Sequence, residues 1–310
     1  LPVTFTNRAR ISTRSNRGAS AFGIYPLNRY QRIEFSGGFG YIREQYNDPL
    51  LEELANEYQQ EAYGNTLYRN GWYVPFSVSF VQETTIFREF GPLSGSTMRL
   101  TYEVAPAMSD QMLSWQTVDV EARKYFKIGS SALLALRGRG FRSWGGTPSF
   151  TYFGGNSDLR GYDYLQFAGQ NGVYGNAEFR IPLINAMATP IGILGGVRGV
   201  AYFGIGGAWW DNTGYKFATN SSQVITPIAS VELDPVTGYP IYTYGDPVAI
   251  TGFRLVDGRA SYGIGVETMA LGFPIHFDWT WRTLFNESWE NALFGSAVNA
   301  ELWRQPRFQF

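Results

Sequence analysis

Phe153-Gly154-Gly155-Asn156-Ser157-Asp158-Leu159-Arg160-Gly161-Tyr162 is a glycine-rich segment that carries an Arg-Gly-Tyr triplet. It is followed at residues 176–183 by Asn-Ala-Glu-Phe-Arg-Ile-Pro-Leu. In this second segment polar side chains alternate with small or apolar ones, which predicts a β-strand with one polar and one apolar face. A flexible loop with one arginine therefore leads directly into a two-faced strand.

The same period-two alternation recurs along the whole chain. Its stretches are close to the roughly 9–11 residues that a tilted strand needs to cross a bilayer. A polar, acidic segment within residues 47–70 interrupts the pattern, and its residues 50–63 are predicted to form a short helix. We predict twelve strands, at residues 3–11, 19–27, 31–46, 71–84, 96–105, 114–126, 131–144, 172–183, 192–210, 259–270, 273–285 and 299–310.

The connections between the predicted strands tend to be short at one end and long at the other. The short ones include residues 28–29, 127–129 and 271–272, and the three longest are residues 47–70, 145–171 and 211–257. Bacterial membrane barrels combine short periplasmic turns with long extracellular loops, so this alternation is expected of them. We call the two ends of the strands the turn end and the loop end, and residues 145–171 the arginine loop.

The apolar faces of the predicted strands are almost free of charge, whereas the opposite faces carry ionised pairs. Aromatic residues also cluster near strand ends, as in the interfacial belts of membrane proteins. Two such clusters are Tyr25 with Tyr30, and Trp209 with Trp210. A soluble β-sandwich also alternates, but these two features favour a barrel whose apolar side faces lipid.

Composition narrows the class of protein. The net charge of −1 and the pI of about 6.0 argue against a nucleic-acid partner. With 17% aromatic and 16% charged residues, the chain is too aromatic for a disordered protein. It contains no cysteine, which excludes disulfides and thiolate metal sites. The chain contains no run of about 18 uninterrupted apolar residues, so the sequence predicts no membrane-spanning helix.

The segment at residues 153–183 resembles the arginine loop and following strand of the BamA-type (surface antigen) outer-membrane barrel superfamily. That superfamily also includes TamA-like and two-partner secretion transporters. The resemblance implies an all-β fold, a transmembrane antiparallel barrel integral to the bacterial outer membrane, with residues 1–310 as one domain. The family barrel has sixteen strands. Either four strands and periplasmic domains lie upstream of Leu1, or the chain is a twelve-stranded relative.

The resemblance also implies which residues dock the loop inside the barrel. Arg160 is expected to bind Glu178 on the lumen face of the next strand, which matches the family's Asn-x-Glu-x-Arg pattern. The family's second carboxylate, an Asp after two aromatic residues, is missing from Tyr202-Phe203-Gly204. The loop serves either as a gate or only as a fixed plug. The expected loop residues are Gly154, Gly155, Arg160, Gly161 and Tyr162, and the expected wall residues are Asn176, Glu178 and Arg180.

The end of the chain has two features of interest. Pro306 lies within the predicted last strand, where proline removes a hydrogen bond of the ladder. Arg304 would share the outward face with Phe308. Both residues predict a weakly paired seam between the first and last strands, and the family resemblance implies that this seam opens laterally; the alternative is an ordinary closing strand with a bulge. Phe308 and the terminal Phe310 resemble the β-signal that the outer-membrane assembly machinery recognises.

No set of residues predicts catalysis. The single histidine, His276, lies two residues from Asp278 on a predicted lumen face, and no particular serine pairs with it. The glycines at residues 204–207 are not followed by a helix, so they do not predict a phosphate loop. We therefore expect no enzymatic activity, no cofactor and no metal, with a lipid-modifying barrel enzyme as a minor alternative.

The predicted function is to move polypeptides across the outer membrane or to insert them into it. The alternative is a non-conducting barrel that serves as an anchor or docking platform for a partner or for a fused periplasmic or surface domain. Expected partners are outer-membrane lipids and lipopolysaccharide, polypeptide clients or a periplasmic protein, and no nucleic acid. Repeated βααβ modules before Leu1 would favour transport, and a propeller or enzyme domain there would favour the anchor.

Overall fold

The computed structural model describes residues 12–63, 70–88, 91–129, 131–184, 187–189, 192–194, 196–235, 237–270 and 273–309. Most of these residues form β-strands. The first half contains β1 Ser12–Asn28, β2 Gln31–Tyr46, α1 Pro49–Tyr63, β3 Gly71–Tyr73, β4 Phe76–Glu83, β5 Ile86–Arg88, β6 Gly91–Ala105, β7 Trp115–Ile128 and β8 Ala132–Trp144. The second half contains β9 Thr151–Phe153, β10 Phe167–Gly169, β11 Asn171–Ile184, β12 Met187–Thr189, β13 Gly192–Leu194, β14 Val197–Trp209, β15 Ala218–Asn220, β16 Gln223–Ile225, β17 Ile228–Leu233, β18 Pro240–Tyr244, β19 Val248–Ile250, β20 Phe253–Leu255, β21 Arg259–Ala270, β22 Phe273–Thr283, α2 Glu287–Leu293, α3 Ala297–Arg304 and β23 Arg307–Gln309.

One large antiparallel sheet organises the chain. Eleven strands follow each other in the order β1-β2-β4-β6-β7-β8-β11-β14-β21-β22-β23, and β3 and β5 pair with β2 and β6 at its margin. These eleven strands correspond in order to the second through twelfth predicted strands. The first predicted strand, residues 3–11, lies outside the described residues. The prediction of a large antiparallel sheet is therefore confirmed.

The boundaries of several elements agree with the sequence pattern. β2 and β21 have the predicted bounds, and α1 covers the predicted helix at residues 50–63. The strand predicted at residues 71–84 is broken into β3 and β4 at Pro75, which has no N–H to donate. The carbonyl of Pro75 instead accepts a 3.1 Å hydrogen bond from the backbone N–H of Gly38.

The prediction of a continuous last strand at residues 299–310 is wrong. Half of this region, residues 299–304, belongs to helix α3, and among its described residues only β23 adds to the sheet. The helix forms because the Ser296 side chain caps it, accepting a 3.1 Å hydrogen bond from the N–H of Asn299. Pro306 lies between α3 and β23 rather than inside a strand. Arg304 is the last residue of α3, so it does not share an outward strand face with Phe308.

One face of the sheet exposes large apolar side chains along successive strands. Tyr262 and Ile264 on β21 are 47% and 57% exposed, and their neighbour Ser261 on the other face is fully buried. In water such a continuous apolar surface would far exceed the patches that monomeric proteins tolerate. Other members of this outward face are Phe35, Phe39, Phe76, Val78, Leu100, Tyr102, Leu136, Val173, Ile181, Phe203, Trp279 and Phe308.

The main apolar cluster lies at the loop end of the sheet, outside the strands' middle sections. It brings α2 together with the base of the long connection between β14 and β21 and with the ends of β21 and β22. Its buried members are Ile250, Leu255, Ala260, Leu284, Trp289 and Ala292. Within the described residues, no helix is long and apolar enough to cross a membrane.

Candidate functional site: the arginine loop on the inner face of the sheet

The arginine loop leaves β8, forms the short β9–β10 ladder, and returns to the sheet at β11. Its middle part folds back onto the polar face of the sheet. Phe153, Leu159 and Tyr162 are almost completely buried there, at 1%, 0% and 2% exposure. Although this connection is rich in polar and glycine residues, these three side chains are as buried as those of a protein core.

Arg160 contacts three strands at once. Its Nη2 donates a 3.0 Å hydrogen bond to Oε1 of Glu178 on β11, and its Nε lies 3.4 Å from Oδ2 of Asp278 on β22. Its guanidinium also lies over the ring of Tyr202 on β14, 4.3 Å from the ring centroid. The Nε donates a further 3.2 Å hydrogen bond to the carbonyl of Asn156 within the loop.

These contacts require the sheet to curve around the loop. β11 and β22 are separated by β14 and β21, so in a flat sheet they would lie about 14 Å apart, at roughly 4.8 Å for each interval. One guanidinium nevertheless reaches carboxylates on both. The polar face is therefore concave and encloses the loop, and the apolar face is convex.

The charges around Arg160 compensate one another. The side chains of Arg160, Glu178 and Asp278 are only 10%, 17% and 2% exposed. A buried guanidinium is costly unless carboxylates and hydrogen bonds accompany it. Glu178 also accepts a 2.6 Å hydrogen bond from Nη2 of Arg180, so it joins two arginines. The stacked ring of Tyr202 adds a cation–π contact, which is strongest where water is excluded.

The loop backbone next to Arg160 is bound to β21. The Oγ of Ser261 donates a 2.6 Å hydrogen bond to the carbonyl of Arg160. The hydroxyl of Tyr162 donates a 3.0 Å hydrogen bond to the carbonyl of Ala260. Burial raises the pKa of Tyr162, which keeps this hydroxyl protonated as a donor.

Asp158 fixes the other side of the loop. Its carboxylate accepts a 2.9 Å hydrogen bond from the Tyr174 hydroxyl and a 3.2 Å hydrogen bond from Nη1 of Arg137. Its backbone carbonyl accepts a 2.5 Å hydrogen bond from the side-chain amide of Asn176. Strands β8 and β11 thereby hold the loop from the side opposite to β21 and β22.

Two glycines allow the loop to approach the wall this closely. Gly161 has a φ of +85°, and a Cβ there would lie 2.6 Å from Cγ2 of Thr280. At Gly204 a Cβ would lie 2.8 Å from both the Asn176 side chain and the Leu159 side chain. Neither position has room for a side chain while the loop is docked.

The last strand is also bound to the loop. The backbone N–H of Gly161 donates a 2.7 Å hydrogen bond to Oε1 of Gln309. Arg307 donates a 3.0 Å hydrogen bond to the carbonyl of Gly161 and pairs with the Asp163 carboxylate at 2.9 Å. Six consecutive strands of the sheet, β8 to β23, therefore contact one loop.

The structure brings together the loop and wall residues that the sequence singled out. Arg160, Glu178 and Arg180 form one ion-paired group, and Asn176 binds the loop backbone beside it. Gly154, like Gly155 and Gly161, has a positive φ. The seam residues do not join this site: Arg304 pairs with Glu290 of α2 at 2.8 Å, and Pro306 precedes β23. Phe308 packs against Trp279, and Phe310 lies outside the described residues.

Sequence reasoning missed several of the loop's partners, among them Asp278, Tyr202, Arg307 and Gln309. Asp278 supplies the second carboxylate, which was expected on the ninth predicted strand but lies on the eleventh. Tyr202 occupies the inner wall at the strand where that acid was expected, and its ring replaces part of the lost attraction. The sequence did not indicate the contacts of Gln309 and Arg307 with the loop, because the predicted last strand included residues that form helix α3.

Among the described residues, the concave face includes cavities of about 360 Å³ at two places. One lies beside Arg160 and is lined by Arg137, Arg180, Glu267 and His276 among others. The other lies along β6, β7 and β8, where Asp119 binds Arg139 at 2.8 Å. In the part of the chain that the structure describes, no group of three or more acids or histidines could hold a metal ion. The site is an ion-paired docking surface.

No protein-family model matches the sequence, and neither does any curated protein. Among solved structures, BamA from Haemophilus ducreyi lacking POTRA domains 1–3 is similar, with a TM-score of 0.59 and 16% identity over 90% of this chain and 53% of that chain. CdiB from Escherichia coli has a TM-score of 0.45 and 14% identity, over 88% of this chain and 41% of that chain. This chain thus spans about half the length of the BamA structure that it matches. The large antiparallel sheet of this chain therefore has the fold of a BamA-type β-barrel.

Proposed function

We propose that this chain is an integral barrel of the bacterial outer membrane that moves polypeptides across the membrane or inserts them into it. The convex apolar face supports the location, because hydrocarbon can cover a band of exposed side chains that water cannot. Lipid and lipopolysaccharide are then the partners of this face. Long extracellular loops are the rule in bacterial barrels, so the loop end is assigned to the cell surface.

The observation that carries the transport proposal is the short pairing of the last strand. β21 and β22 pair along their whole lengths, whereas in the part of the chain that the structure describes β23 pairs with β22 only through Asp278, Trp279 and Thr280. A ladder this short is held by only a few hydrogen bonds, each contributing about 1 kcal/mol. The edge of the sheet at β23 is therefore its weakest point.

The arginine loop strengthens this weak edge. Gln309 and Arg307 bind the loop at Gly161, and Arg160 binds the loop to β11 and β22. Release of the loop would thus remove the support of the last strand as well. This coupling supports a gate that opens the lumen and the strand edge together when a polypeptide displaces the loop.

A second candidate is a non-conducting barrel that anchors or docks another protein. It is favoured by how firmly the loop is held, since six strands contact it and its central apolar residues are buried. In this case the loop is a permanent plug, and the ion pairs of Arg160 serve only the stability of the barrel.

Insertion of a probe polypeptide into liposomes distinguishes the two functions. The full chain is reconstituted, and a urea-unfolded eight-stranded outer-membrane protein is added as the probe. The fraction of probe that folds is measured by its heat-dependent migration in gels. The transport proposal predicts faster folding than in empty liposomes, and equal rates would overturn it in favour of the anchor.

A reversible link between loop and strand provides the control. The chain has no cysteine, so Asp163→Cys and Arg307→Cys introduce a unique pair at a position where the two side chains now form an ion pair. A short cleavable crosslinker between these thiols should stop the acceleration, and its removal by a reductant should restore it. Unchanged acceleration after linking would contradict a gate that depends on release of the loop.

A further inference from the structure

The connection between β14 and β21 forms a long hairpin at the loop end. Its base is buried, because Ile250 and Leu255 belong to the apolar cluster with α2. Its distal part consists of β17 and β18, and every residue of these two strands is exposed. A rigid base therefore carries a projecting two-stranded ribbon, joined at its tip by the turn at Gly238.

The register of the ribbon separates apolar from polar side chains. Val231 is opposite Tyr242 and Leu233 is opposite Pro240, so these four side chains share one face. Tyr244 lies on the same face, two residues from Tyr242. The other face carries Ser230 opposite Thr243 and Glu232 opposite Ile241.

One face of the ribbon is thus entirely apolar and stands open. Val231 and Leu233 are 56% and 65% exposed, and Tyr242 and Tyr244 are 48% and 62% exposed. Alternation of this kind is typical of a sheet with one covered and one solvated face. Tyrosine is also enriched at protein interfaces, where it supplies contact area at low entropic cost.

The charge of the hairpin indicates what can cover this face. Residues 217–253 contain three acids, Glu232, Asp234 and Asp246, and no lysine or arginine. Anionic lipid headgroups attract basic segments and repel acidic ones. Two copies of the hairpin would likewise bring like charges together. A cationic partner would not be repelled by the acidic hairpin.

We infer that the apolar face of the β17–β18 ribbon binds an extended segment of another protein in which apolar residues alternate with lysine or arginine. The apolar side chains of that segment would pack on Val231, Leu233 and Tyr242, while its bases would project from the opposite side of the segment and be attracted at longer range by the net negative charge of residues 217–253. The binding surface is separate from the arginine loop, and only its assignment to the cell surface rests on the proposed function.

Binding of a designed peptide to the full chain in neutral detergent micelles tests this inference. The probe is a ten-residue peptide of alternating lysine and valine, and the control peptide has glutamate in place of lysine. The triple variant Val231→Thr, Leu233→Thr and Tyr242→Thr removes the apolar face but keeps β-forming residues. Ile241→Thr makes a similar change on the opposite face and is its matched control.

The lysine peptide is expected to bind the wild type and to lose at least about tenfold in affinity with the triple variant, whereas Ile241→Thr changes it little. Glu232→Gln with Asp246→Asn should weaken binding more than Glu53→Gln with Glu57→Gln, the same charge change on α1. Equal affinity of the glutamate peptide, or equal effects of the two pairs of variants, would overturn the inference. Hairpin-dependent dimers without peptide, or hairpin-dependent binding to anionic vesicles, would overturn it too. Heat-dependent gel migration verifies that each variant keeps an intact barrel.

Discussion

The backbone N–H of Gly161 lies 2.7 Å from Oε1 of Gln309, so the turn of the arginine loop is bound directly to the last strand of the sheet. One residue earlier, Arg160 binds the inner wall through Glu178 and Asp278. The loop therefore connects the wall of the barrel with its weakest edge. This arrangement explains why a loop rich in glycine can be buried in the middle of the molecule, and it leads to four predictions.

Glu178→Gln should release the loop without unfolding the barrel. The substitution keeps the size of the side chain but removes the charge that Arg160 and Arg180 share, and Asp278 still retains part of the attraction. We expect docking to weaken by about 2 kcal/mol, because a hydrogen bond to a charged group contributes about that much. The measurement is maleimide labelling of Leu159→Cys, a buried loop position in a protein without other cysteines.

A loss of this size would increase labelling of the cysteine at position 159 by about thirtyfold, at tenfold for each 1.4 kcal/mol. Glu232→Gln makes the same chemical change on the exposed hairpin and should leave the labelling rate unchanged. Equal rates in all three backgrounds would mean that the Arg160–Glu178 pair does not hold the loop.

Gly161→Ala should destabilise the docked loop for two separable reasons. The positive φ costs an alanine about 1 kcal/mol, and its Cβ would collide with Cγ2 of Thr280. Thr280→Ser removes that methyl group but keeps the hydroxyl that bonds Tyr202. A double-mutant cycle on the free energy of unfolding in urea should therefore show that the serine rescues part of the loss. Strictly additive effects would show that the two residues do not meet.

Gln309→Leu should loosen the last strand more than Asp163→Asn. Removal of the Gln309 amide leaves the N–H of Gly161 without its acceptor, a loss of about 1–2 kcal/mol. The Asp163 side chain is 71% exposed, so its pair with Arg307 is expected to contribute less than about 0.5 kcal/mol. Hydrogen exchange of the peptide that covers β23 measures both. Faster exchange in Asp163→Asn than in Gln309→Leu would contradict the conclusion that the Gln309 hydrogen bond holds the last strand more strongly than the Asp163–Arg307 pair.

Gly204→Asp should expel the loop, although it restores a carboxylate at the position where the family pattern has one. A Cβ at Gly204 would already lie 2.8 Å from the side chains of Leu159 and Asn176. Gly204→Ala should therefore have most of the same effect, seen as labelling of Leu159→Cys. If Gly204→Asp instead protected that cysteine better than the wild type, electrostatic attraction would outweigh the steric conflict at this position.

The strands were predictable because successive side chains point to opposite faces of the sheet, and the two faces lie in different environments. The strands on the path from β1 to β22 have predicted counterparts, whereas the marginal strand β5 has none. The polar faces carry the residues that meet the loop, such as Glu178 and Asp278. Alternation also placed Asp278 on the inner face. It could not show that Asp278 approaches Arg160 from three strands away, because that distance depends on the curvature of the whole sheet.

The end of the chain was not predictable from alternation because local hydrogen bonds override it there. Asn286 and Ser296 cap two short helices, accepting hydrogen bonds from the N–H groups of Trp289 and Asn299. Glu290 then pairs with Arg304 and binds the backbone N–H of Leu284. Of these polar groups the strand pattern had assigned only Arg304 to a strand face, because Asn286, Glu290 and Ser296 lie in the predicted connection at residues 286–298. The role of Pro306 in a lateral seam stays a prediction.

Accessibility of spin labels along β11 tests the central claim most directly. Single cysteines at residues 173–181 carry the label in micelles or bilayers, and collisions with oxygen and with a water-soluble nickel complex are measured. The account predicts high oxygen access at Val173, Phe179 and Ile181, which face hydrocarbon, and low access to both reagents at Tyr174, Asn176 and Glu178, which the loop covers. Free access of the nickel complex to these inner positions, or no period-two variation of oxygen access, would contradict it.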